Sequence, residues 1–263
     1  MPWPSPAVCW RLKPGRWYYW KAEVIESAEG LSTTAEGALP PSRFRVDAAL
    51  PPLPESAFAP KPRRPNDLIV QDALQGKPAP SANNLPPSAG FVSASGPRNE
   101  PNGAIDLNGV SDMLRYDIGT FPEEDYSVCI AVRVACLPTG LGQVFSAWAV
   151  SQDDPLRLCV ENGKLFARME AGNGFSTAGV PVQLNTWMRV AVVKEESTLT
   201  LYVDGVQRGT CFVPALVRSQ AKDIALGGNP HFAGKEFLAC RLADFRFYAR
   251  ALSPQEVRQW AAR

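Results

Sequence analysis

The chain has 263 residues, 45% of them hydrophobic, and sets 27 basic against 26 acidic side chains for a net charge of +1. That supplies enough apolar material for one large domain and a smaller unit, while the balanced charge, with no basic stretch beyond Lys61 to Arg64, argues against nucleic acid or an acidic membrane surface as partner. No apolar run approaches the roughly 18 residues of a membrane helix, and the opening Met1 to Val8 segment has neither the basic nor the apolar region of a signal peptide.

Residues 1–50 begin with an aromatic, strand-like stretch in which Leu12-Lys13-Pro14-Gly15 sets up a turn ahead of Trp17 and Tyr18. With the Trp/Tyr-rich run to Ser27 and the Phe44-centred segment from Ser42, this is similar to the tyrosine corner and closing strands of a fibronectin type III-like domain. The resemblance covers about half of such a domain, so the sequence is expected to be a fragment of a longer chain. Trp3, Trp10, Trp17, Tyr18, Tyr19 and Trp20 are expected to form sheet core. A sugar-stacking platform, or self-association through an uncovered aromatic face, is the alternative. Residues 51–65 are dense in proline and are read as a linker.

From residue 66 to 263 the signals are those of an all-β domain. Leu68 to Leu74 is a candidate strand. Asn162-Gly163 and Asp204-Gly205 each sit between alternating segments, the strongest short signal for a two-residue hairpin. The segments beginning at Trp187 and Thr198 are joined by Lys194 to Ser197, a connection short enough to make them antiparallel neighbours. Near the end, Leu242, Phe245 and Phe247 alternate only loosely. Ser253 then supplies an N-cap, Pro254 a first-turn proline and Glu256 the reciprocal member of a capping box, so a helix begins there, docked by Val257 and Trp260. Cys9, Cys129, Cys136, Cys159, Cys211 and Cys240 have no metal-ligand spacing. They are expected to be free, mostly buried thiols, with Cys129 and Cys136 on opposite faces of one strand.

Taken in order, the strand segments, the Tyr202-Val203-Asp204-Gly205 hairpin, the Ile224 to Gly228 turn and the closing Asp244 to Glu256 run resemble a laminin G-like, concanavalin A-like jelly-roll domain over about 66–263. The resemblance implies a β-sandwich with a short C-terminal helix. It departs from the family at Ala131, where many relatives carry a tryptophan, and at Met188 and Arg189, where histidines are common. Relatives also present an acidic loop near the domain start, whereas this chain has Pro80, Ser81, Ala82, Asn83 and Asn84. The metal that the resemblance implies is a structural calcium, with Asp112 and Asp244 as the candidate ligands.

For activity, the resemblance implies a non-catalytic recognition module for a glycan or a protein surface, in a modular extracellular or cell-surface protein. A structural or adhesion spacer is the alternative, and a hydrolase with an unrecognised site the third. The related glucanases use Glu-x-Asp-x-Glu on one strand. Here Glu123-Glu124-Asp125 is the nearest approach and Ser127 stands where a further carboxylate is needed. The lone His231 has no Ser or Cys elbow beside it. Ligand contacts are expected at loop rims: Trp148, Asp153 and Asp154 in one loop, Asn173 and Phe175 in a second, Asn229 and His231 in a third.

Overall fold

The computed structural model describes residues 17–20 and 42–45 as backbone strands, and residues 67–75 and 92–263 in full. The chain divides into two compact units, Met1–Pro62 and Arg63–Arg263. In the first, β1 (Trp17–Trp20) pairs antiparallel with β2 (Ser42–Arg45), Tyr18 opposite Phe44. The aromatic side chains of residues 1–20, the 51–65 linker and the Pro80 to Asn84 loop lie outside the described residues.

The second unit runs β3 (Leu68–Asp72), β4 (Val92–Ala94), β5 (Ala104–Asn108), β6 (Leu114–Asp117), β7 (Tyr126–Val134), β8 (Gly142–Ser146), β9 (Asp153–Glu161), β10 (Lys164–Ala171), β11 (Gly174–Ser176), β12 (Val180–Pro181), β13 (Trp187–Glu195), β14 (Thr198–Val203), β15 (Val206–Phe212), β16 (Asp223–Leu226), β17 (Ala239–Tyr248) and helix α1 (Pro254–Ala261). These strands form two antiparallel sheets. A seven-stranded sheet has the order β11-β10-β9-β8-β16-β6, with β12 also on β10. An eight-stranded sheet has the order β15-β14-β13-β7-β17-β5-β4, with β3 also on β17. The result is the expected jelly-roll sandwich with one short C-terminal helix.

Between the sheets, Val128, Ile130 and Val132 of β7 and Val190 and Val192 of β13 face Leu156, Leu158 and Val160 of β9 in one buried cluster. The aromatic centre of that core is Phe121, Tyr126, Phe145, Phe245 and Phe247, with Phe121 and Tyr126 edge to face at 4.9 Å. Such pairs add to area burial because ring edges carry positive and ring faces negative charge.

Both hairpins form as the turn residues dictate. Asn162 and Gly163 take φ of 49° and 72°, and Asp204 and Gly205 take 52° and 75°, the left-handed region that two-residue turns require. The β13–β14 connection is tighter than the sequence suggests. Strand β13 continues through Lys194 and Glu195, leaving Glu196 and Ser197 as the turn. Lys194 shares the inward parity of Val190 and Val192 and is fully buried. Its Nζ donates to the carbonyls of Glu196 at 2.7 Å, Ala215 at 2.8 Å and Glu124. A buried ammonium survives there because carbonyl oxygens replace its water.

The loose alternation in β17 has a physical cause. Ala243 lies opposite Ala131 and Arg246 opposite Cys129, so one extra residue is inserted, and Asp244 sits in that bulge at φ 47°. The bulge lets Leu242 and Phe245, three apart, both face the core. Helix α1 starts at Ser253 with the full capping box, and its buried Val257 and Trp260 cover Cys129, Ala191 and Tyr202 on the outer face of the eight-stranded sheet. Cys136 differs from expectation: β7 ends at Val134, so Cys136 is an exposed residue beyond the strand. Cys129, Cys159 and Cys240 are buried free thiols.

Candidate functional site

The antiparallel register brings the end of β8, the start of β9, the end of β10 and the start of β16 to one end of the seven-stranded sheet, with Ser146 opposite Ala225 and Ala171 opposite Asp153. The three rim loops read from the sequence converge on this end. Gly172 N donates to Gln152 O at 3.4 Å, bringing the Asn173 turn beside the first loop. The segment after β16 returns toward the same rim, where Phe232 meets Trp148 edge to face at 6.1 Å. His231 Nε2 lies 2.7 Å from Asp223 Oδ1, at the start of β16.

Asp223 is the hub of a short charged row, since Arg115 of β6 also pairs with it. Burial pushes its carboxyl up, but the hydrogen bonds from His231 and Arg115 outweigh burial and hold it below the usual carboxylate range. Beyond the first loop lies a cavity of about 380 Å³ lined by Gln152, Asp153, Glu170, Gly172, Leu216 and Arg218. That volume lies within the range of pockets that enclose small ligands. Asp153 Oδ2 accepts from Gln220 N at 2.9 Å, fixing the cavity wall.

Three of the expected contact residues play another part. Asp154 is fully buried and faces Arg157 at 3.3 Å, with neither carboxylate oxygen accepting a hydrogen bond. Burial pushes this carboxyl up, Arg157 opposes the rise, and Glu170, Glu236 and Asp153 add to it, leaving it at about 7. It is a floor residue, out of a ligand's reach. Asn229 is 2% exposed, and its Oδ1 accepts from the N–H groups of His231 and Phe232, so it shapes the loop from beneath. Phe175 packs against the core. Trp148, Asp153, Asn173 and His231 keep surface exposure. The reading of the sequence missed Phe232, Asp223 and Arg115. Phe232 directly follows His231 and was within reach of the argument, whereas Arg115 and Asp223 meet only through sheet register.

The two proposed calcium ligands do not suit the ion. Asp244 already receives Arg246 Nε at 2.9 Å and Trp260 Nε1 at 3.0 Å, with Arg189 at 3.6 Å, so its charge is answered by guanidinium groups. Asp112 Oδ2 accepts from the Asn108 backbone N–H at 3.0 Å, closing the β5–β6 turn. Asn108 lies level with Ala239, and Asp244 lies five residues further along β17, roughly 16 Å away at strand rise. Among the described residues no group of three or more His, Cys, Asp or Glu side chains comes together. Calcium wants six to eight converging oxygens, which these two carboxylates do not begin to assemble.

A laminin G-type family model, described as the concanavalin A-like lectin/glucanases superfamily, matches residues 108–258, more than half of the chain. The chain belongs to that superfamily. The match does not include residues 1–50, and nothing in it supports the fibronectin type III-like expectation for them. Solved structures of similar fold include domain 4 of an extracellular arabinanase from Geobacillus stearothermophilus in complex with arabinotriose. It is 17% identical, covers 74% of this chain and 98% of its own, and has a TM-score of 0.59. The ligand-binding domain of botulinum neurotoxin serotype D in complex with N-acetylneuraminic acid is 14% identical over 74% of this chain and 50% of its own, at TM-score 0.58. The binding domain of Paraclostridial Mosquitocidal Protein 1 is 16% identical over 74% and 52%, at TM-score 0.58. The chain therefore spans about half the length of the toxin binding domains it matches. No curated protein sequence matches it.

Proposed function

We propose that residues 66–263 form a non-catalytic carbohydrate-recognition module whose ligand lies across the rim between Trp148–Phe232 and the Asp153 cavity. The single observation that carries this is the Trp148–Phe232 pair, whose centroids are 6.1 Å apart with Phe232 42% exposed, placed beside the Arg115–Asp223–His231 row. Half-exposed rings give a pyranose face an apolar surface, and the adjacent charged and amide groups meet its hydroxyls. The family and the glycan-bound binding domains of like fold support the same ligand class.

The non-catalytic part of the proposal rests on how the rim carboxylates are used. Glycoside hydrolysis needs one carboxyl as acid and another as base or nucleophile, both facing the bond. Asp223 is held between Arg115 and His231, Asp154 is sealed beneath the surface, and of the two carboxylates on the cavity wall Glu170 is paired with Arg157 while Asp153 accepts from Gln220 N. The domain arrangement belongs to this proposal: a separate N-terminal segment, a Pro-rich tether over 51–65 and a recognition domain, in an extracellular or surface-attached protein. No helix among the described residues is long and apolar enough to cross a membrane.

A glycan array probed with the full chain tests the reading, alongside Trp148→Ala and Phe232→Ala. Binding to at least one neutral or acidic oligosaccharide, lost about tenfold or more in both variants, is expected. Binding to no glycan in the parent protein would favour the adhesion-spacer alternative, and turnover of a bound glycan would overturn the non-catalytic part.

A further inference from the structure

The outer face of the eight-stranded sheet carries a second site that the rim does not use. Ala94 of β4 pairs with Ala104 of β5, Ala243 of β17 with Ala131 of β7, and Ala131 with Arg189 of β13. Ala104, Ala131 and Ala243 form one small cluster with Trp187 packed against it. Four adjacent strands thus carry methyl groups where long side chains ordinarily stand, and Ala104, Ala131 and Ala243 are buried beneath their neighbours.

At the Ala243 end of this row lies a cavity of about 240 Å³ bordered by Arg98, Glu100, Arg189, Asp244, Arg246 and Arg263. Four guanidinium groups stand against two side-chain carboxylates. Asp244 is already committed to Arg246 and Arg189. Glu100 Oε2 is turned back to accept from the Arg98 backbone N–H at 2.7 Å, a bond that leaves the Arg98 guanidinium out. Among the described residues neither Arg98 nor Arg263 has a carboxylate within ion-pair distance, and the buried Nη1 of Arg189 has no hydrogen-bond acceptor. A buried guanidinium nitrogen lacking an acceptor is a place where a ligand oxygen lowers the free energy.

We infer that this cavity binds the carboxylate of an acidic sugar, with Arg98 and Arg189 as its cationic partners. The planar fork of arginine matches a carboxylate in two parallel hydrogen bonds. Gln71 and Gln75, also on the cavity wall, supply amides for ring hydroxyls. The volume falls below the ~300–1,000 Å³ of sites that enclose drug-sized ligands, so the cavity takes one uronate unit of a chain. The inference shares with the rim proposal only the ligand class and uses none of its residues.

The test is calorimetric titration of the full chain with oligogalacturonate, its methyl-esterified form and dextran sulfate. Oligogalacturonate is expected to bind, with affinity falling tenfold or more on esterification. Arg98→Ala, on a surface loop, is expected to lower affinity by a similar factor, while Arg208→Ala, an exposed guanidinium on β15 outside both sites, leaves it unchanged. Arg98→Lys guards against a folding artefact: on an exposed loop it keeps the charge and loses the fork, so affinity falls while the melting temperature holds. Equal binding of the esterified chain, preference for dextran sulfate, no binding at all or indifference to Arg98→Ala would each overturn the inference. Loss of binding in Trp148→Ala alone would return the ligand to the rim.

Discussion

Trp260 of α1 donates its indole Nε1–H to Asp244 Oδ2 in the β17 bulge at 3.0 Å. The helix that closes the domain is thereby fastened to the bulged residue of the strand beneath it, and Arg189 stacks over the same indole at 5.6 Å. Trp260→Phe keeps the apolar ring and removes the donor to a charged acceptor, which costs about 2 kcal/mol. Urea denaturation should show that loss. A cost no greater than that of a surface substitution would reject the fastening role.

Lys194 predicts a larger effect. Replacing it with methionine keeps the length of the side chain and strips the donors from the carbonyls of Glu124, Glu196 and Ala215. Loss of three hydrogen bonds from a charged donor makes the cost on the order of 3 kcal/mol. Thermal melts followed by circular dichroism would register it, and an unchanged midpoint would show that water replaces the ammonium at no cost.

Asp154 gives stability a pH slope of stated sign. Its carboxyl titrates at about 7 in the folded protein, against about 4 in an unfolded chain. Between those values the folded state binds more protons, so stability declines as pH rises from about 4 to about 7, and the decline is complete above that. Asp154→Asn removes this contribution. The stability of the variant relative to the parent should therefore grow by as much as roughly 4 kcal/mol between pH 4 and pH 8. A relative stability that stays level across this range would dismiss the raised titration.

The cap of α1 has the opposite dependence. Ser253 Oγ accepts from Glu256 N at 3.3 Å, Ser253 N donates to Glu256 Oε2 at 2.8 Å, and Arg250 pairs with Glu256 at 2.9 Å. Burial pushes the Glu256 carboxyl up, but those hydrogen bonds outweigh burial and hold it at about 2. The stability it contributes is present above the unfolded value near 4.3 and fades as pH falls toward 2. Ser253→Ala should cost about 1 kcal/mol at pH 7. Glu256→Gln should destabilise at neutral pH and converge on the parent near pH 2, as a pair of melting curves would show.

What was legible in the sequence was what neighbouring residues decide among themselves. Asn162-Gly163, Asp204-Gly205 and Ser253-Pro254-Gln255-Glu256 set their turns and cap through local dihedral preference and reciprocal hydrogen bonds. The rim loops were legible too, because polar turns between apolar strands mark strand ends. Lys194 was read as a loop residue because its carbonyl partners lie as far off as Glu124 and Ala215. Asp154 read as a surface acid for the same reason, since Arg157 and Glu170 enclose it only after β9 and β10 pair across a bulge. Asp244 looked like a metal ligand until the bulge turned it toward Arg189 and Arg246. The alanine row was out of reach altogether, being written across four strands in a register that no single segment encodes.

Strand β17 lies in the interior of its sheet, bonded to β7, β5 and β3, although it falls at residues 239–248 and β3 at residues 68–72. During synthesis, every strand from β3 to β15 leaves the ribosome before the piece that joins the two halves of this sheet exists. The domain must wait with β7 and β5 edges open, and then pay for closing a loop of well over a hundred residues in one late event. Folding should accordingly be slow and wait until β17 has been made, and the waiting edges are where a nascent chain of this protein is most in need of a chaperone.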